Sequence, residues 1–314
     1  MSDKRATREA LGLTLLELAA EGRDDIVALD ADLAKSTTTS KFAATYPERF
    51  FEVGIAEQNM IGTAAGLAAG GMTPFTGSFA VFATGRAYDQ IRNSVCYANL
   101  NVKLTPTHAG VTVGPDGGSH QMLEDIALMR VLPNMRVLVP ADYQAARGAI
   151  RAAASTQGPF YIRLGRMPLS AVYGDDFVFE IGRAYVLREG ADVTLAACGV
   201  MVERALAAAD LLSGEGIAAT VVDVSCIKPL DEATIMAAAR ATGAVVTCEE
   251  HSIIGGLGSA IAELMGERAP MPLERVGVRD VFGTSGEPEE LMRHFGLTAV
   301  DVAAAARKAI ARKS

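Results

Sequence analysis

The sequence predicts an α/β fold with two consecutive units, from two observations. Short apolar runs alternate with segments of helical spacing along the whole chain, a pattern typical of a mostly parallel sheet wrapped by helices. At 314 residues, half of them hydrophobic, the chain suits about two domains that each bury a core. We expect a first domain over residues 1–170, a linker over 171–182 and a smaller second α/β domain over 183–314.

In the first domain, strands and helices are expected to alternate. Leucines at helical spacing predict a helix over 5–21, and the run DIVAL predicts a buried strand over 25–29. A loop over 30–33 and an exposed polar segment over 36–40 follow, and the Gly-rich stretch 108–120 is predicted as a loop. Further strands are predicted over 50–53, 73–77, 102–107, 136–139 and 160–164, and further helices over 56–70, 79–99, 121–130 and 143–154.

The second domain repeats the same kind of alternation after a connection over 167–182 that contains Pro168 and Gly174. Strands are predicted over 192–198, 218–224, 244–249 and 273–278, and helices over 202–212, 232–241, 257–267 and 300–312. Since loops after parallel strands meet at the carboxyl edge of a sheet, the loops that follow residues 53, 77 and 107 are expected to meet there.

Composition argues against several classes of function. The formal net charge of −8 argues against general nucleic-acid binding, which needs a basic patch. No uncharged apolar run is long enough to suggest a membrane span, and the charged start MSDKRATRE lacks the apolar core of a signal peptide. The cysteines 96, 198, 226 and 248 lack metal-ligand spacing and are expected to be buried, reduced thiols. We therefore expect a cytoplasmic protein without nucleic-acid or membrane partners.

The stretch RFFEVGIAEQNMIGTAAGLAAGG, residues 49–71, organises the first domain. It reads as a strand, a turn at Gly54 and a helix rich in Ala and Gly, which other backbones can approach closely. An acid, Glu57, lies in the first turn of this helix. Acids are common there because the helix dipole favours them, so this position alone indicates no function.

Two further motifs follow at intervals. Residues 79–90 contain FAVF and RAYDQ, and residues 114–121 read GPDGGSHQ. In this order, GIAEQ, the aromatic pair and the Asp/His loop resemble the pyrimidine-binding domain of the transketolase family of thiamine diphosphate enzymes. The second half, with IKPLD at 227–231 and EEH at 249–251, resembles the family's carboxy-terminal domain. The resemblance covers most of the chain, and GIAEQ is its most specific part.

The resemblance implies a thiamine diphosphate site. The family's acid, here Glu57, hydrogen-bonds the far pyrimidine nitrogen and turns the cofactor's amino group into a base. Phe82 is expected to stack on the pyrimidine, with Phe79 lining the same pocket and Arg86 beside it; the alternative for either Phe is ordinary core packing. Gly85 stands where classic transketolases carry a third aromatic residue, and Arg86 follows, as 1-deoxyxylulose-5-phosphate synthases carry Arg.

By the same resemblance, Asp116 and His120 handle the hydroxyls and protons of the sugar's first carbons. The glycines of GPDGGSHQ let the backbone bend so that both side chains point inward, and a carboxylate with an imidazole can bind hydroxyls and move protons. The alternative is an Asp that caps a turn and a His on the surface.

His108, Arg166 and Arg8 correspond to residues that hold a substrate phosphate in the family, and Arg suits a forked contact with phosphate oxygens. Arg163 is a weaker candidate for this patch. Asp30 replaces a phosphate-binding Ser, and a carboxylate there is expected to repel a phosphate. The alternative for these basic residues is a set of surface ion pairs.

The second half has a Gly-rich segment of its own, GGLG at 255–258. We expect this segment to form a tight turn rather than a phosphate-binding loop, because an isolated Gly-rich turn is weak evidence for phosphate binding. His251 is expected to have a structural or interface role.

The family's Gly-Asp-Gly signature with a distant Asn, which holds magnesium and diphosphate, has no counterpart here, and a full-length enzyme is about twice as long. We therefore expect a carboxy-terminal subunit of a split transketolase, without metal ligands of its own. A separate amino-terminal subunit would hold the diphosphate and Mg²⁺ or Ca²⁺ in an α2β2 assembly. The small residues of helix 56–70 suggest self-association through the pyrimidine domain.

Such a subunit would take part in moving a two-carbon ketol unit from a ketose phosphate to an aldose phosphate. Three alternatives remain open. The chain could belong to a 1-deoxyxylulose-5-phosphate synthase-like enzyme, to the beta chain of a 2-oxo acid dehydrogenase, or to a non-catalytic partner subunit. The sequence does not name the donor or the acceptor sugar.

Overall fold

The computed structural model describes residues 4–313; residues 1–3 and 314, which belong to the two predicted domains, lie outside this range. Within it, a seven-stranded and a five-stranded sheet are each covered by helices, and a two-stranded ribbon pairs residues 5–6 with residues 168–169. The predicted α/β class with mostly parallel sheets is confirmed. We call residues 4–170 the amino-terminal unit and residues 183–313 the carboxy-terminal unit.

The strands are β1 (Arg5–Ala6), β2 (Ile26–Asp30), β3 (Phe50–Glu52), β4 (Thr73–Thr76), β5 (Lys103–Leu104), β6 (Arg136–Leu138), β7 (Phe160–Ile162), β8 (Pro168–Leu169), β9 (Tyr185–Arg188), β10 (Val193–Ala197), β11 (Ala219–Asp223), β12 (Cys226–Lys228), β13 (Val245–Ser252) and β14 (Leu273–Val278).

The α-helices are α1 (Glu9–Ala20), α2 (Ala34–Thr37), α3 (Ser40–Thr45), α4 (Glu57–Ala69), α5 (Tyr88–Gln90), α6 (Asp125–Arg130), α7 (Tyr143–Ala154), α8 (Met201–Ser213), α9 (Glu232–Thr242), α10 (Leu257–Arg268), α11 (Pro288–His294) and α12 (Ala299–Ile310). Pro47–Arg49 and Val111–Asp116 form 3₁₀ turns, and Val81–Arg86 and Ile91–Tyr97 are π-helical.

The seven-stranded sheet has the order β12-β6-β7-β5-β4-β2-β3 and is parallel except for β12. Strand β12, which the sequence did not predict, comes from the carboxy-terminal unit and pairs antiparallel with β6. The five-stranded sheet has the order β14-β13-β10-β11-β9, with only β9 antiparallel. The carboxy-terminal unit thus completes an edge of the other unit's sheet.

The apolar core is continuous between the two units. Strands β2, β10 and β11 are buried along their whole length, as expected for parallel strands covered on both faces. One cluster of buried side chains joins Met60 and Val137 of the amino-terminal unit to Ile227 and Leu257 of the other. Burial of each large aliphatic side chain contributes about 1.5–3 kcal/mol to the stability of the folded chain. The interface between the units is therefore stabilised by the hydrophobic effect, like the core of a single domain.

Two helical predictions need correction. The helix predicted over 79–99 is broken into π-helical segments around the short α5, and π-helical turns inside helices are common near functional sites. The helix predicted over 121–130 begins only at Asp125, because the preceding residues still belong to the glycine-rich loop.

The polar segment 36–40 was predicted to be exposed, and this was wrong. It spans the end of α2 and the start of α3, and Thr37, Thr38 and Thr39 are buried. The hydroxyls of Thr37 and Thr39 donate to the Asp30 carboxylate, and Thr38 Oγ1 donates to the Arg8 carbonyl. Buried hydroxyls are stable when hydrogen-bonded in this way, and local sequence carries no sign of such distant acceptors.

Across residues 4–313, none of the helices has the length and apolar character needed to cross a membrane. The cysteines 96, 198, 226 and 248 are buried and unpaired, as predicted.

Candidate active site

The predicted site residues meet at the carboxyl edge of the seven-stranded sheet. Glu57 follows β3, the aromatic pair follows β4, the glycine-rich loop follows β5, and Arg166 follows β7. Arg8 directly precedes α1 rather than lying inside the first helix as predicted. The expectation that several strand ends would bring their loops together at one edge is met by the contacts described below.

Glu57 begins α4 and is 3% exposed. Its Oε1 accepts a hydrogen bond from Arg86 Nη1 at 3.1 Å, and the side chain of Gln58 donates to the Arg86 carbonyl. A cavity of about 680 Å³, lined by residues 55–59 and Arg86, opens beside the carboxylate. The acid is therefore buried by its own chain on one side and reachable from a cleft on the other.

An aromatic wall adjoins this acid. The Arg86 guanidinium lies 4.2 Å from the centroid of the Phe82 ring, and the Phe79 ring lies nearly parallel to that of Phe82 at 6.0 Å. The His120 imidazole meets the Phe82 ring edge-on at 5.3 Å. A cation over an aromatic face is stabilised by about 1 kcal/mol, so Arg86 is held jointly by the ring and by Glu57.

The aromatic wall continues into a cluster of Arg8, His108 and Arg166, which we call the basic group. The imidazole of His108 stacks on Phe79 at 3.8 Å, and its Nε2 lies 3.2 Å from Arg8 Nη1. Since Arg can only donate, Nε2 accepts, and the proton resides on Nδ1, which donates to Thr107 Oγ1 at 2.7 Å. Burial, with the nearby Arg8 and Arg166 cations, lowers the pKa of His108 to about 3. His108 is thus a neutral imidazole.

Arg8 is itself only partly satisfied. Its Nη1 also donates to the Ser36 carbonyl at 3.0 Å, whereas its buried Nε finds no hydrogen-bond partner in the described part of the chain. Burial and the nearby Arg166 lower the pKa of Arg8 from its ordinary value. An unsatisfied buried donor beside a second cation is suited to an anionic ligand.

Arg166 and Asp116 form the remaining pair. Arg166 Nη1 lies 3.3 Å from Asp116 Oδ2 and donates to the Val113 carbonyl at 2.9 Å. Both side chains are more than a third exposed, so the ion pair contributes little to stability. The ion pair brings Arg166, which is predicted to bind the substrate phosphate, next to Asp116, which is predicted to bind the sugar hydroxyls.

Asp30 does not present its charge to the cleft, which corrects the expected repulsion of a phosphate. The carboxylate is fully buried and accepts from Thr37 Oγ1 at 2.6 Å, from Thr39 Oγ1 at 2.8 Å and from the N–H groups of Ala31 and Leu33. Burial raises the pKa of Asp30. Asp30 therefore organises the end of β2 from inside the protein.

Arg163 does not belong to the basic group either. It is 7% exposed, and its Nε donates to Asp125 Oδ2 at 2.7 Å. Buried guanidinium groups are held by such paired, hydrogen-bonded acids. The expectation that Arg163 lies in the same patch as Arg166 is corrected.

The Gly-rich turn 255–258 is a structural turn, as predicted. The carboxylate of Glu249 accepts hydrogen bonds from the N–H groups of Leu257 and Gly258 at 2.8 and 2.9 Å, so an internal acid takes the donors that a phosphate would need. His251 is fully buried behind it.

Sequence reasoning missed two residues that shape the site. Thr107 Oγ1 accepts the hydrogen of His108 Nδ1, and Glu250 accepts from the Thr112 N–H in the glycine-rich loop. The pair Glu249 and Glu250 inside β13, which is buried up to His251, was a usable signal, because buried acids need specific partners.

Comparisons with known proteins agree with this geometry. Residues 3–170 match the family model of the transketolase pyrimidine binding domain, and residues 182–302 match that of the transketolase C-terminal domain. A putative transketolase C-terminal section of Methanocaldococcus jannaschii is 47% identical over 302 residues, which cover 95% of this chain and 94% of that protein.

Two further proteins resemble the chain over nearly its whole length. A 6-deoxy-6-sulfo-D-fructose transketolase subunit of a Clostridium species is 48% identical over 300 residues, 96% of this chain and 93% of that protein. A solved structure of a split-gene transketolase, an inactive β4 tetramer, superposes with a TM-score of 0.92 at 54% identity and covers 99% of this chain and 100% of that one. The chain therefore belongs to the transketolase family and contains its pyrimidine-binding and carboxy-terminal domains.

Proposed function

We propose that this chain is the carboxy-terminal subunit of a split, thiamine diphosphate-dependent transketolase, which transfers a two-carbon ketol unit from a ketose phosphate to an aldose phosphate. One observation carries the proposal. The buried Glu57 carboxylate and the Phe82 ring bound one slot, and the flat guanidinium of Arg86 fits between them, 3.1 Å from the acid and 4.2 Å from the ring centroid.

This slot fits an aminopyrimidine, because it already accommodates a planar, nitrogen-rich group that donates to the acid. Glu57 would hold the far ring nitrogen, Phe82 would support the ring face, and Phe79 and Arg86 would line its edges. Thiamine diphosphate, when bound, supplies the electron sink needed to break the carbon–carbon bond beside a ketose carbonyl.

The remaining residues suit the substrate. Asp116 and His120 would bind the hydroxyls of the ketol unit and exchange protons with them. Arg8, neutral His108 and Arg166 would hold the anionic far end of the sugar, where Arg8 Nε, which has no hydrogen-bond partner among residues 4–313, offers a donor. The Clostridium relative is named for a sulfonated sugar, which supports an anionic substrate end, whether phosphate or sulfonate.

Metal and diphosphate are assigned to a partner. In the range 4–313, no group of three His, Cys, Asp or Glu side chains is arranged to hold a metal ion. We propose that Mg²⁺ or Ca²⁺ and the diphosphate are bound mainly by a separate amino-terminal subunit in an α2β2 assembly in the cytoplasm. Self-association would use α4, where added Cβ atoms at the exposed Gly62 and Gly66 would meet no described atom within 4 Å apart from the neighbouring residues and backbone of the helix itself.

The experiment is ketol transfer from fructose 6-phosphate to glyceraldehyde 3-phosphate by this chain purified with the separate diphosphate-binding chain. Glu57→Gln should lower kcat at least 100-fold, because an amide cannot keep the carboxyl's role in proton transfer. Glu48→Gln, at an exposed acid, should leave transfer unchanged. Transfer at the wild-type rate by Glu57→Gln would contradict the proposal.

One observation favours testing a second donor. Gly85 leaves open space beside Arg86, and Arg86 is the residue that resembles 1-deoxyxylulose-5-phosphate synthases. A synthase-like reaction with pyruvate as donor would use the same pyrimidine slot. Pyruvate replaces the ketose in the same assay. Product formed from pyruvate but not from fructose 6-phosphate would favour the synthase-like alternative, and no product from either, with thiamine diphosphate bound, would favour a non-catalytic subunit.

A further inference from the structure

The loop that carries Asp116 and His120 is anchored by the carboxy-terminal unit. The N–H of Thr112, near the start of this loop, donates to Glu250 Oε1 at 2.6 Å. Gly110 lies so close to that carboxylate that a Cβ on it would come within 2.2 Å of Glu250 Cδ. The loop backbone is thus fitted onto a single buried acid that belongs to β13.

Glu250 is rigidly held in turn. It is 4% exposed, and its carbonyl accepts a hydrogen bond from Arg163 Nη2 at 2.9 Å. Arg163 Nη1 lies 3.8 Å from the Glu250 carboxylate, and Asp125 binds the other side of the same guanidinium. A buried carboxylate that faces a guanidinium and accepts a backbone hydrogen bond has few alternative positions, so Glu250 can hold the loop in one place.

A second set of contacts holds the far end of the loop. Gln121 Nε2 donates to the Thr284 carbonyl at 2.9 Å, and Ser285 Oγ donates to the Pro115 carbonyl at 3.0 Å. Gly118 packs against Gly283, where a Cβ would lie 2.4 Å from the carbonyl oxygen. The segment 283–285 of the carboxy-terminal unit therefore contacts the loop at residues 115–121, while Glu250 binds the loop at Thr112.

The two candidate substrate residues have few contacts of their own. Asp116 meets Arg166 at 3.3 Å, and His120 Nδ1 lies 3.0 Å from Ser119 Oγ in the same loop. Both side chains lie partly or fully in contact with solvent. The loop backbone therefore brings both side chains into place, where Arg166 contacts Asp116 and the Phe82 ring contacts His120. The anchors hold the loop backbone.

We propose that Glu250 is a positioning residue for Asp116 and His120, so that the carboxy-terminal unit controls substrate affinity without touching the substrate. This inference rests on the proposed function, because it takes Asp116 and His120 as ligands of the sugar. It adds a role for a unit that supplies none of the residues assigned above to the cofactor or the substrate.

The test compares Glu250→Ala and Glu250→Gln in the complex with the diphosphate-binding chain. Glu250→Ala should raise the KM for fructose 6-phosphate about tenfold and speed amide hydrogen exchange over residues 112–120 at least tenfold. Glu250→Gln keeps an acceptor for the Thr112 N–H and should restore both values to within about threefold of wild type. The affinity for thiamine diphosphate should not change, since Glu57 and Phe82 lie on other elements.

Glu249→Ala is the matched control. Glu249 is the buried acid just before Glu250 in β13, and its carboxylate binds the start of α10 instead of the loop. Its removal should therefore lower thermal stability without changing the donor KM or hydrogen exchange in the loop. If Glu250→Ala does not fold, Ser285→Ala, which removes only the hydrogen bond to Pro115, should produce the same changes at a smaller size.

The outcomes separate the two proposals. Absence of ketol transfer by the wild-type complex contradicts the proposed function. The positioning role is overturned if the wild-type complex is active and Glu250→Ala has the same donor KM and the same loop hydrogen exchange as the wild type. An equal rise of donor KM in Glu249→Ala overturns it as well, because the effect would then be a general loss of stability.

Discussion

Arg86 donates a hydrogen bond to Glu57 at 3.1 Å while its guanidinium lies over the ring of Phe82. The acid is buried and the base is half-exposed, so in the chain alone the cation occupies the slot that we assign to the aminopyrimidine. The arrangement explains how a carboxylate can be buried at a helix start before any cofactor arrives, because a buried charge needs a partner.

The first prediction concerns the stability of this pair. Arg86→Ala should lower the free energy of unfolding of the chain by about 1–2 kcal/mol, because Glu57 loses a charge-assisted hydrogen bond. Thermal unfolding should therefore begin a few degrees earlier. In the Glu57→Gln background, the same Arg86 substitution should cost less, and this double-mutant cycle isolates the pair. Equal costs in both backgrounds would show that the two side chains do not interact.

The second prediction concerns His108. Its folded-state pKa of about 3 lies below the ordinary 6.5, so only the unfolded chain gains a proton at this residue as pH falls below 6.5. The stability present above pH 6.5 is lost progressively towards pH 3, by about 2 kcal/mol between pH 7 and pH 5. Urea unfolding at these two pH values measures the loss, and His108→Gln should show a loss smaller by that amount.

Histidine signals in NMR spectra provide an independent check. The chain contains four histidines, and the His108 ring carbons should keep neutral shifts from pH 8 down to pH 5. A His108 signal that titrates near pH 6.5 would contradict the buried, hydrogen-bonded imidazole.

The third prediction has the opposite sign. Burial raises the pKa of Asp223 to about 7, although Tyr173 Oη and Ser225 Oγ donate to its carboxylate. The folded state then holds a proton that the unfolded state releases near pH 4. Stability is present below about pH 4 and falls as pH rises towards 7, by about 2 kcal/mol between pH 5 and pH 7.

Asp223→Asn removes this titration while it keeps the size of the side chain. Its free energy of unfolding should therefore fall less than that of the wild-type chain between pH 5 and pH 7, as measured by urea titration at several pH values. A parallel pH dependence in the two chains would show that Asp223 is ionised in the folded state.

Some features of the site could be predicted from local sequence alone. The alternation of strand and helix spacing places Glu57, Phe82 and His120 after consecutive strands, and parallel strands bring such loops to one edge. Turn glycines mark the bend in the loop that carries Asp116. These features depend on neighbours within a few residues, which is why they can be read along the chain.

Other features could not be predicted, because they depend on residues far apart in the chain. The sequence predicted that the charge of Asp30 would repel a phosphate, but the carboxylate is buried and accepts hydrogen bonds from Thr37 and Thr39. The antiparallel β12 joins the sheet of the other unit. Neither the acceptors of a buried hydroxyl nor the partner of an edge strand leaves a periodic signal.

The sequence by itself determined the fold class, the family and the identities of the side chains at the strand ends, because these follow from periodicity and short motifs. Only the tertiary structure decided that His108 is neutral, that Arg163 is an internal ion-pair partner and that Glu250, 138 positions from Thr112, anchors the loop. Burial and long-range hydrogen bonds set protonation and position, and both exist only once the chain has folded.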